Sequence, residues 1–257
     1  DEIQKAAKEA VRILHLAAQV AVTTSVTDPR NDFDINALGT FNTLEAARLS
    51  GNNPGFVFAS TNKVYGGMEN VKVVEKETRY DYADLPEGAS EEQILDFHSP
   101  YGCSKGCGDQ YVRDYFRIYY LPTVVLRQSC IYGLRQFGVE DQGWVAWFMI
   151  AAVTGRPISI YGDGKQVRDI LFVDDLLDAY DAAYERLPHV GGQVFNIGGG
   201  RSNTISVWVE FKPMLEKLLG HEIITTRSDW RPGDQPVFIS DIRKARKYLN
   251  WFPKTNA

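Results

Sequence analysis

The apolar and polar positions of this chain alternate between short buried runs and amphipathic stretches. ILHLAA (13–18), GFVFAS (55–60) and TVVLRQS (123–129) are brief runs rich in Val, Leu, Ile and Phe, and each predicts a buried strand. Between the first two, DINALGTFNTLEAARLS (34–50) places Ile35, Leu38, Phe41, Leu44 and Ala47 at helical spacing, and Gly51 closes the element. A polar, irregular region covers 66–98, and a long helix is predicted from Pro100 to Tyr119. Strands alternating with helices predict an α/β fold, a Rossmann-like doubly wound parallel sheet with helices on both faces. Ligands of such sheets bind beyond the carboxyl ends of the strands, which here means residues 17–20, 60–65 and 128–133.

After residue 155 the pattern changes. PISIYGDGKQVRDILFV (157–173) has two β-like runs around Asp163-Gly164, a hairpin signal. Helices are predicted at 174–186, 206–219 and 241–249, and QVFNIGGG (193–200) reads as a strand and a glycine turn. Residues 1–155 therefore form the sheet-bearing domain, and 156–257 form mainly a smaller α+β lobe packed on it, with interleaved segments.

Composition narrows the classes. With 44% hydrophobic and 24% charged residues the chain can bury a sizeable core, and a net charge of −5 without a basic block excludes nucleic acid as a partner. No apolar run reaches membrane-spanning length, and the first residues show no signal pattern. Three cysteines argue against a disulfide framework and for a reducing, cytoplasmic location. Cys103 and Cys107, four apart, read as small buried residues at a helix contact, and no metal site is expected.

The candidate chemistry lies in SPYGCSKGCGDQY (99–111). Tyr101 and Lys105 share a helix face at i and i+4. A nearby ammonium lowers a phenol's pKa, so the pair could serve as a general base for a hydroxyl proton. Thr61 falls just past a strand end, where its hydroxyl could bind a substrate oxygen; a turn-stabilising role is the ordinary alternative. The GDG at 162–164 and GGG at 198–200 lack phosphate-loop spacing and read as turns.

HLAA (15–18), NALGTFNTLEAAR (36–48), STNKVYG (60–66), SPYGCSK (99–105), YGDGKQVRDILFVDD (161–175) and FNIGGG (195–200) together resemble the extended short-chain dehydrogenase/reductase family, and within it the nucleotide-sugar epimerases and dehydratases. The segments at 127–148 and 229–249 are most similar to the branch acting at C2 of a CDP-linked deoxysugar. The resemblance implies an NAD-dependent isomerase of carbohydrate biosynthesis. Thr61, Tyr101 and Lys105 would form its catalytic group. Leu16, Ala17, Ala18, Asn36, Ala59, Ser60 and Gln128, with Tyr101 and Lys105, would flank NAD. Arg135, Gln136, Trp144, Arg168 and Arg231, with Thr61, would meet the nucleotide sugar. Surface ion pairs with Asp169 or Asp234 are the alternative for the last two arginines, and plain aromatic packing for Trp144. The family's 4,6-dehydratases carry Asp-Glu after the threonine; Asn62 and Lys63 stand here, favouring an epimerase. A 4-epimerase, another sugar-nucleotide oxidoreductase and a non-catalytic nucleotide binder are the competing readings. A homodimer or homotetramer is implied through the helices at 34–50 and 99–119.

One departure concerns the start. The family opens with a strand, a glycine-rich turn and a helix that holds the pyrophosphate. Here the helix-like IQKAAKEAVR (3–12) comes directly before ILHLAA. The expectation is an incomplete cofactor half, short of two βα units or roughly 60 residues.

Overall fold

The computed structural model describes residues 2–231 and 234–256. Four parallel strands form the principal sheet in the order Arg12–His15, Gly55–Thr61, Thr123–Gln128, Val194–Ile197. Period-2 alternation sorts its residues between two cores. Phe56, Phe58 and Val125 pack on one face with Leu44, Val112 and Tyr115 of the helices Gly39–Leu49 and Ser99–Tyr119. Val57, Val124 and Leu126 face the other way, against Ala179 and Tyr180 of Val173–Glu185 and Leu249 of Arg243–Leu249. Each fully buried Val, Leu or Phe contributes on the order of 1.5–3 kcal/mol, so these two adjacent strands anchor the structure. The fourth strand of the sheet comes from the chain's later half.

A second sheet centres on Val167–Phe172, which pairs antiparallel with Thr204–Ser206 and parallel with Val237–Phe238 and Cys130–Tyr132. The hairpin expected at Asp163-Gly164 does not form. Ile158–Tyr161 pairs instead with Thr225–Ser228, in parallel. The turn exists, with Gly162 and Gly164 at φ +77° and +80°, but it carries the chain from one sheet into another. The irregular 66–98 region holds a small antiparallel pair, Val73–Glu75 with Tyr80–Tyr82.

The helix predicted over 34–50 starts earlier and contains a π turn. Pro29–Phe33 is α-helical, Asp34–Leu38 is π-helical and Gly39–Leu49 is α-helical again. The residues turned inward are Asn36, Ala37, Thr40, Leu44, Ala46 and Ala47. Ile35, Leu38 and Phe41, expected on the buried stripe, are exposed, and Phe41 meets Tyr111 edge-on at 5.7 Å. Cys103 is also exposed and Cys107 half-buried, against the expected burial; all three cysteines are free.

The long helix, Ser99–Tyr119, lies unusually close to its neighbours. A Cβ on Gly106 would stand 2.5 Å from the Phe97 ring, and one on Gly108 would stand 2.9 Å from Phe58 Cζ. Gly108 lets this helix approach the Gly55–Thr61 strand, and Gly106 lets the Phe97 ring of the preceding loop pack onto it, beside Tyr101 and Lys105.

Candidate active site

Beyond the carboxyl ends of the Gly55–Thr61 and Thr123–Gln128 strands lies a cleft of about 660 Å³, reached by Thr61, Tyr101, Gln128, Trp144, Arg168 and Arg231. Thr61 ends its strand and caps the turn Asn62–Tyr65, its hydroxyl accepting from the Lys63 amide at 3.2 Å. The Tyr101 amide donates to Ser25 Oγ at 3.1 Å, which fixes the start of the long helix against Val22–Thr27. The Thr61 hydroxyl also stands 3.4 Å from Asn62 Oδ1, and Thr61 and Tyr101 both line the cleft. Two of the three expected catalytic side chains are thus open to the same cleft.

Lys105 takes a different posture from the expected one. It is buried, donates to the Ala59 carbonyl at 2.6 Å and sits 4.4 Å from the centroid of the Phe58 ring. Burial brings its pKa down to about 8, against the opposing pull of Asp109 and Asp32. The Tyr101 phenol is pushed up, chiefly by burial and further by Asp32, with the nearby Thr61 hydroxyl working the other way. The acidified phenol expected from the Tyr-Lys spacing is therefore not a property of these two side chains alone. Spacing fixed the shared helix face, whereas burial decided the ionisation.

Around these groups stands a polar scaffold that motif spacing did not reveal. Asp109 is fully buried and receives two hydrogen bonds from Arg127, each 2.9 Å, and a third from Ser60 Oγ at 2.8 Å. Arg127 also donates to Tyr65 Oη at 3.1 Å. On the other flank, Asn36 sits in the π turn. Its amide oxygen accepts from Gln19 N at 2.9 Å, and its NH2 group faces the Gln19 carbonyl, Asp32 and Ser104 at 3.0–3.1 Å. A π turn swings one residue out of α register, and here that residue ties the loop after the first strand to the long helix. His15 lies beneath, 3.0 Å from Thr40 Oγ1, its pKa lowered to about 4 by burial and then by the charge of Lys105.

The remaining expected residues divide. Leu16 and Ala17 are exposed and Ala18 half-buried on the loop after the first strand, and Ala59 is spent on Lys105. Asn36 has its amide committed to protein partners, so it holds the loop in place and has no free group to offer. Gln128 donates to Tyr180 Oη. Trp144 borders the cleft, but its ring packs edge-on against Phe148 and Phe211 and its indole NH points to Cys130 Sγ at 3.4 Å. Arg168 is buried, donating to the Val167 carbonyl at 2.8 Å and ion-paired to Asp234 at 2.6 Å. Arg231 lies 3.9 Å over the Tyr161 ring and 3.1 Å from Asp141. Arg135 does not join them: it is exposed, in the left-handed region at φ +63°, outside the cleft lining. That geometry turns the side chain's base away while its neighbour Gln136 enters the cleft.

Several buried polar atoms along this wall have no protein partner: Thr23 Oγ1, Gln136 Oε1, Trp147 Nε1 and Gln166 Oε1. Unpaired buried groups cost free energy, so such a set fits a site that receives a polar ligand. The strand ends, Ser60 and the covered lysine suit the nicotinamide-ribose end of a dinucleotide. The 257 residues contain no glycine-rich turn of GxxGxxG type, so no residue is assigned to the pyrophosphate. Among the described residues no group of His, Cys, Asp or Glu could hold a metal ion, and no helix is long and apolar enough to cross a membrane.

Comparison with known proteins places this geometry. Residues 1–198 match the NAD dependent epimerase/dehydratase family. The chain is 47% identical over 248 residues to the CDP-paratose 2-epimerase of Salmonella typhi, covering 95% of this chain and 73% of that protein. It is 33% identical over 245 residues to the UDP-glucose 4-epimerase of Mycolicibacterium smegmatis, covering 94% and 71%. Among solved structures it resembles the Bacillus cereus UDP-glucuronic acid 4-epimerase in complex with UDP-glucuronic acid and NAD, at TM-score 0.80 and 28% identity, covering 100% of this chain and 74% of that one. The Thermotoga maritima UDP-glucose 4-epimerase with UDP-glucose gives TM-score 0.81 at 30% identity, covering 98% and 77%. The parallel sheet, the cleft at its carboxyl end and the matched sequence agree: the chain belongs to the NAD dependent epimerase/dehydratase family and is an NAD-dependent epimerase of nucleotide sugars.

Proposed function

We propose that this chain inverts C2 of a CDP-linked deoxyhexose, interconverting CDP-paratose and CDP-tyvelose. The observation that carries the catalytic assignment is that Thr61 and Tyr101 open onto the same cleft, which two arginines also line. The 47% identity to a CDP-paratose 2-epimerase supports the choice of sugar and base. Asn62 and Lys63, in place of an acidic pair, leave no carboxyl group after Thr61 for the extra proton transfers of dehydration.

NAD, when bound, supplies an acceptor that takes a hydride from the sugar carbon and gives it back. Tyr101 removes the proton of the hydroxyl on that same carbon and returns it after the keto sugar has presented its other face. Thr61 holds the reacting oxygen in line with the phenol. Lys105, with its ammonium fixed by the Ala59 carbonyl, holds the ribose hydroxyls on the helix face it shares with Tyr101. Leu16, Ala17, Ala18, Ala59, Ser60 and Gln128 flank the cofactor, with Asn36 steadying the loop that carries the first three. Arg168 and Arg231 bind the diphosphate, because a guanidinium's planar fork matches two phosphate oxygens. Gln136 and Trp144 border the sugar and base. In this reading residues 1–155 are mainly cofactor-binding and 156–257 mainly substrate-binding, in a cytoplasmic enzyme. The exposed stripe Ile35, Leu38 and Phe41, next to Tyr111, is the face on which a second copy docks to form a dimer or tetramer.

The test is conversion of CDP-paratose by NAD-loaded enzyme, followed by NMR of the sugar ring protons. Inversion at C2 that vanishes in Tyr101→Phe, with an unchanged circular dichroism spectrum, supports the assignment. Inversion at C4 of a nucleotide sugar, or full activity in Tyr101→Phe, refutes it.

A further inference from the structure

Both arginines of the cleft are already engaged by carboxylates, Arg168 with Asp234 at 2.6 Å and Arg231 with Asp141 at 3.1 Å. Lys63 is not. Among the described residues it is the lysine that lines the cleft without a hydrogen bond or ion pair from its ammonium to the protein. It is partly buried at the first turn after Thr61, and its backbone amide is bound to the Thr61 hydroxyl at 3.2 Å. The charges that act on it are those of Arg168, Asp234 and the Cys130 thiol. Lys63 thus shares one cleft with Thr61 and with Arg168, the arginine assigned to the diphosphate.

We propose that Lys63 is a specificity-determining residue: its ammonium holds the phosphate nearest the sugar, and so brings the carbon next to the anomeric centre to Thr61 and Tyr101. The proposal rests on the C2 reading given above. The reasoning is geometric. Lys63 and Thr61 share one turn, so a phosphate held by the ammonium lies within one lysine side chain of the reacting oxygen. C2 is one bond from the carbon that carries the diphosphate, whereas C4 is three bonds away. A short tether between phosphate grip and catalytic hydroxyl therefore favours the nearer carbon. Lysine suits the task because it acts on phosphate as a point charge and leaves the bidentate contact to arginine. Burial and the neighbouring Arg168 charge both lower its pKa in the free protein, a penalty that a bound dianion relieves.

The test compares nucleotides that differ by the phosphate in question. NAD-loaded full chain, wild type and Lys63→Met, is titrated calorimetrically with CDP and CMP, and in parallel with UDP and UMP. The neutral side chain should cut the preference for diphosphate over monophosphate about tenfold or more, from the loss of one charged hydrogen bond. Monophosphate affinity should stay within about twofold of wild type, and Lys63→Arg should keep the preference. Lys63→Gln provides a second neutral variant should the methionine protein misfold. An unchanged preference, or an equal loss for both nucleotides, overturns the assignment. A wild-type enzyme that inverts C4 while this preference still depends on Lys63 would refute the C2 reading and leave the phosphate contact standing.

Discussion

Removing the carboxylate of Asp109 tests whether the buried scaffold behind the catalytic turn holds the sheet end together. Asp109 is fully buried and Arg127 is 2% exposed. Burial alone would pull the Arg127 guanidinium down, yet the hydrogen bonds and charge of Asp109 raise it above its ordinary value. Asp109→Ala leaves that guanidinium charged and unpaired, with Tyr65 Oη and no carboxylate beside it. Breaking a buried pair on one side costs about 3–5 kcal/mol. For a chain of this size each kcal/mol lowers Tm by about 2–4 °C, so a fall of roughly 10 °C is expected. Ser60 loses its acceptor at the same time, and it adjoins Thr61, so turnover should drop at temperatures where the protein is still folded. Differential scanning calorimetry of wild type, Asp109→Ala and the double variant Asp109→Leu/Arg127→Met reads the effect. The double variant should recover most of the loss, because two apolar side chains of similar volume replace both charges. A single variant that melts within 2 °C of wild type, a margin below about 1 kcal/mol, would refute the reasoning.

Other expectations follow from the same interior. His15 has its folded pKa lowered to about 4, so between pH 4 and the ordinary value of 6.5 the unfolded chain holds more of that proton, and stability falls as pH drops through this window. The contribution amounts to about 3 kcal/mol, and urea titrations of His15→Gln against wild type should show a shallower acid loss; parallel curves would disprove it. Cys103 is exposed, while Cys130 borders the cleft with its thiol pKa raised by burial. Cys103 should react first with a thiol reagent, Cys130 slowly and more slowly still with nucleotide present, as mass spectrometry of partially labelled protein would show. Phe41→Asp with Tyr111→Asp should yield a monomer by light scattering, and an undiminished oligomer would remove that face as the docking surface.

Much of the fold is legible in the sequence because the central strands are apolar on both faces and bounded by turns. GFVFAS and TVVLRQS could be little else, and the long helix announces itself with Pro100 in its first turn. Thr61 and Tyr101 are legible for a similar reason: chain order puts both at the sheet's carboxyl end. What was hidden depends on partners distant in sequence. Periodicity marks Ile35, Leu38 and Phe41 as apolar but does not say which side of the helix meets the sheet, and the π turn shifted that side by part of a turn. The Asp163-Gly164 turn is a genuine turn, yet strand pairing across it depends on Thr225–Ser228, some sixty residues away. The Asp109–Arg127 pair left no motif. Its only signal was an acidic residue on the inner face of the long helix and an arginine inside an otherwise apolar strand. Lys105 is legible from spacing, but its hydrogen bond to Ala59 and its burial belong to the close approach to the strand that Gly108 permits.

The outer strand Val194–Ile197 has a consequence for how the molecule is made. It completes a sheet whose other members end by Gln128, so more than sixty residues must be synthesised before the edge of Thr123–Gln128 is covered. Until then that edge presents open amides and carbonyls, an invitation to pair with a neighbouring nascent chain. Long-range closure of this kind slows folding and lengthens the exposed interval. A ribosome-bound chain stopped near residue 160 should therefore engage chaperones, and one released past residue 200 should let them go.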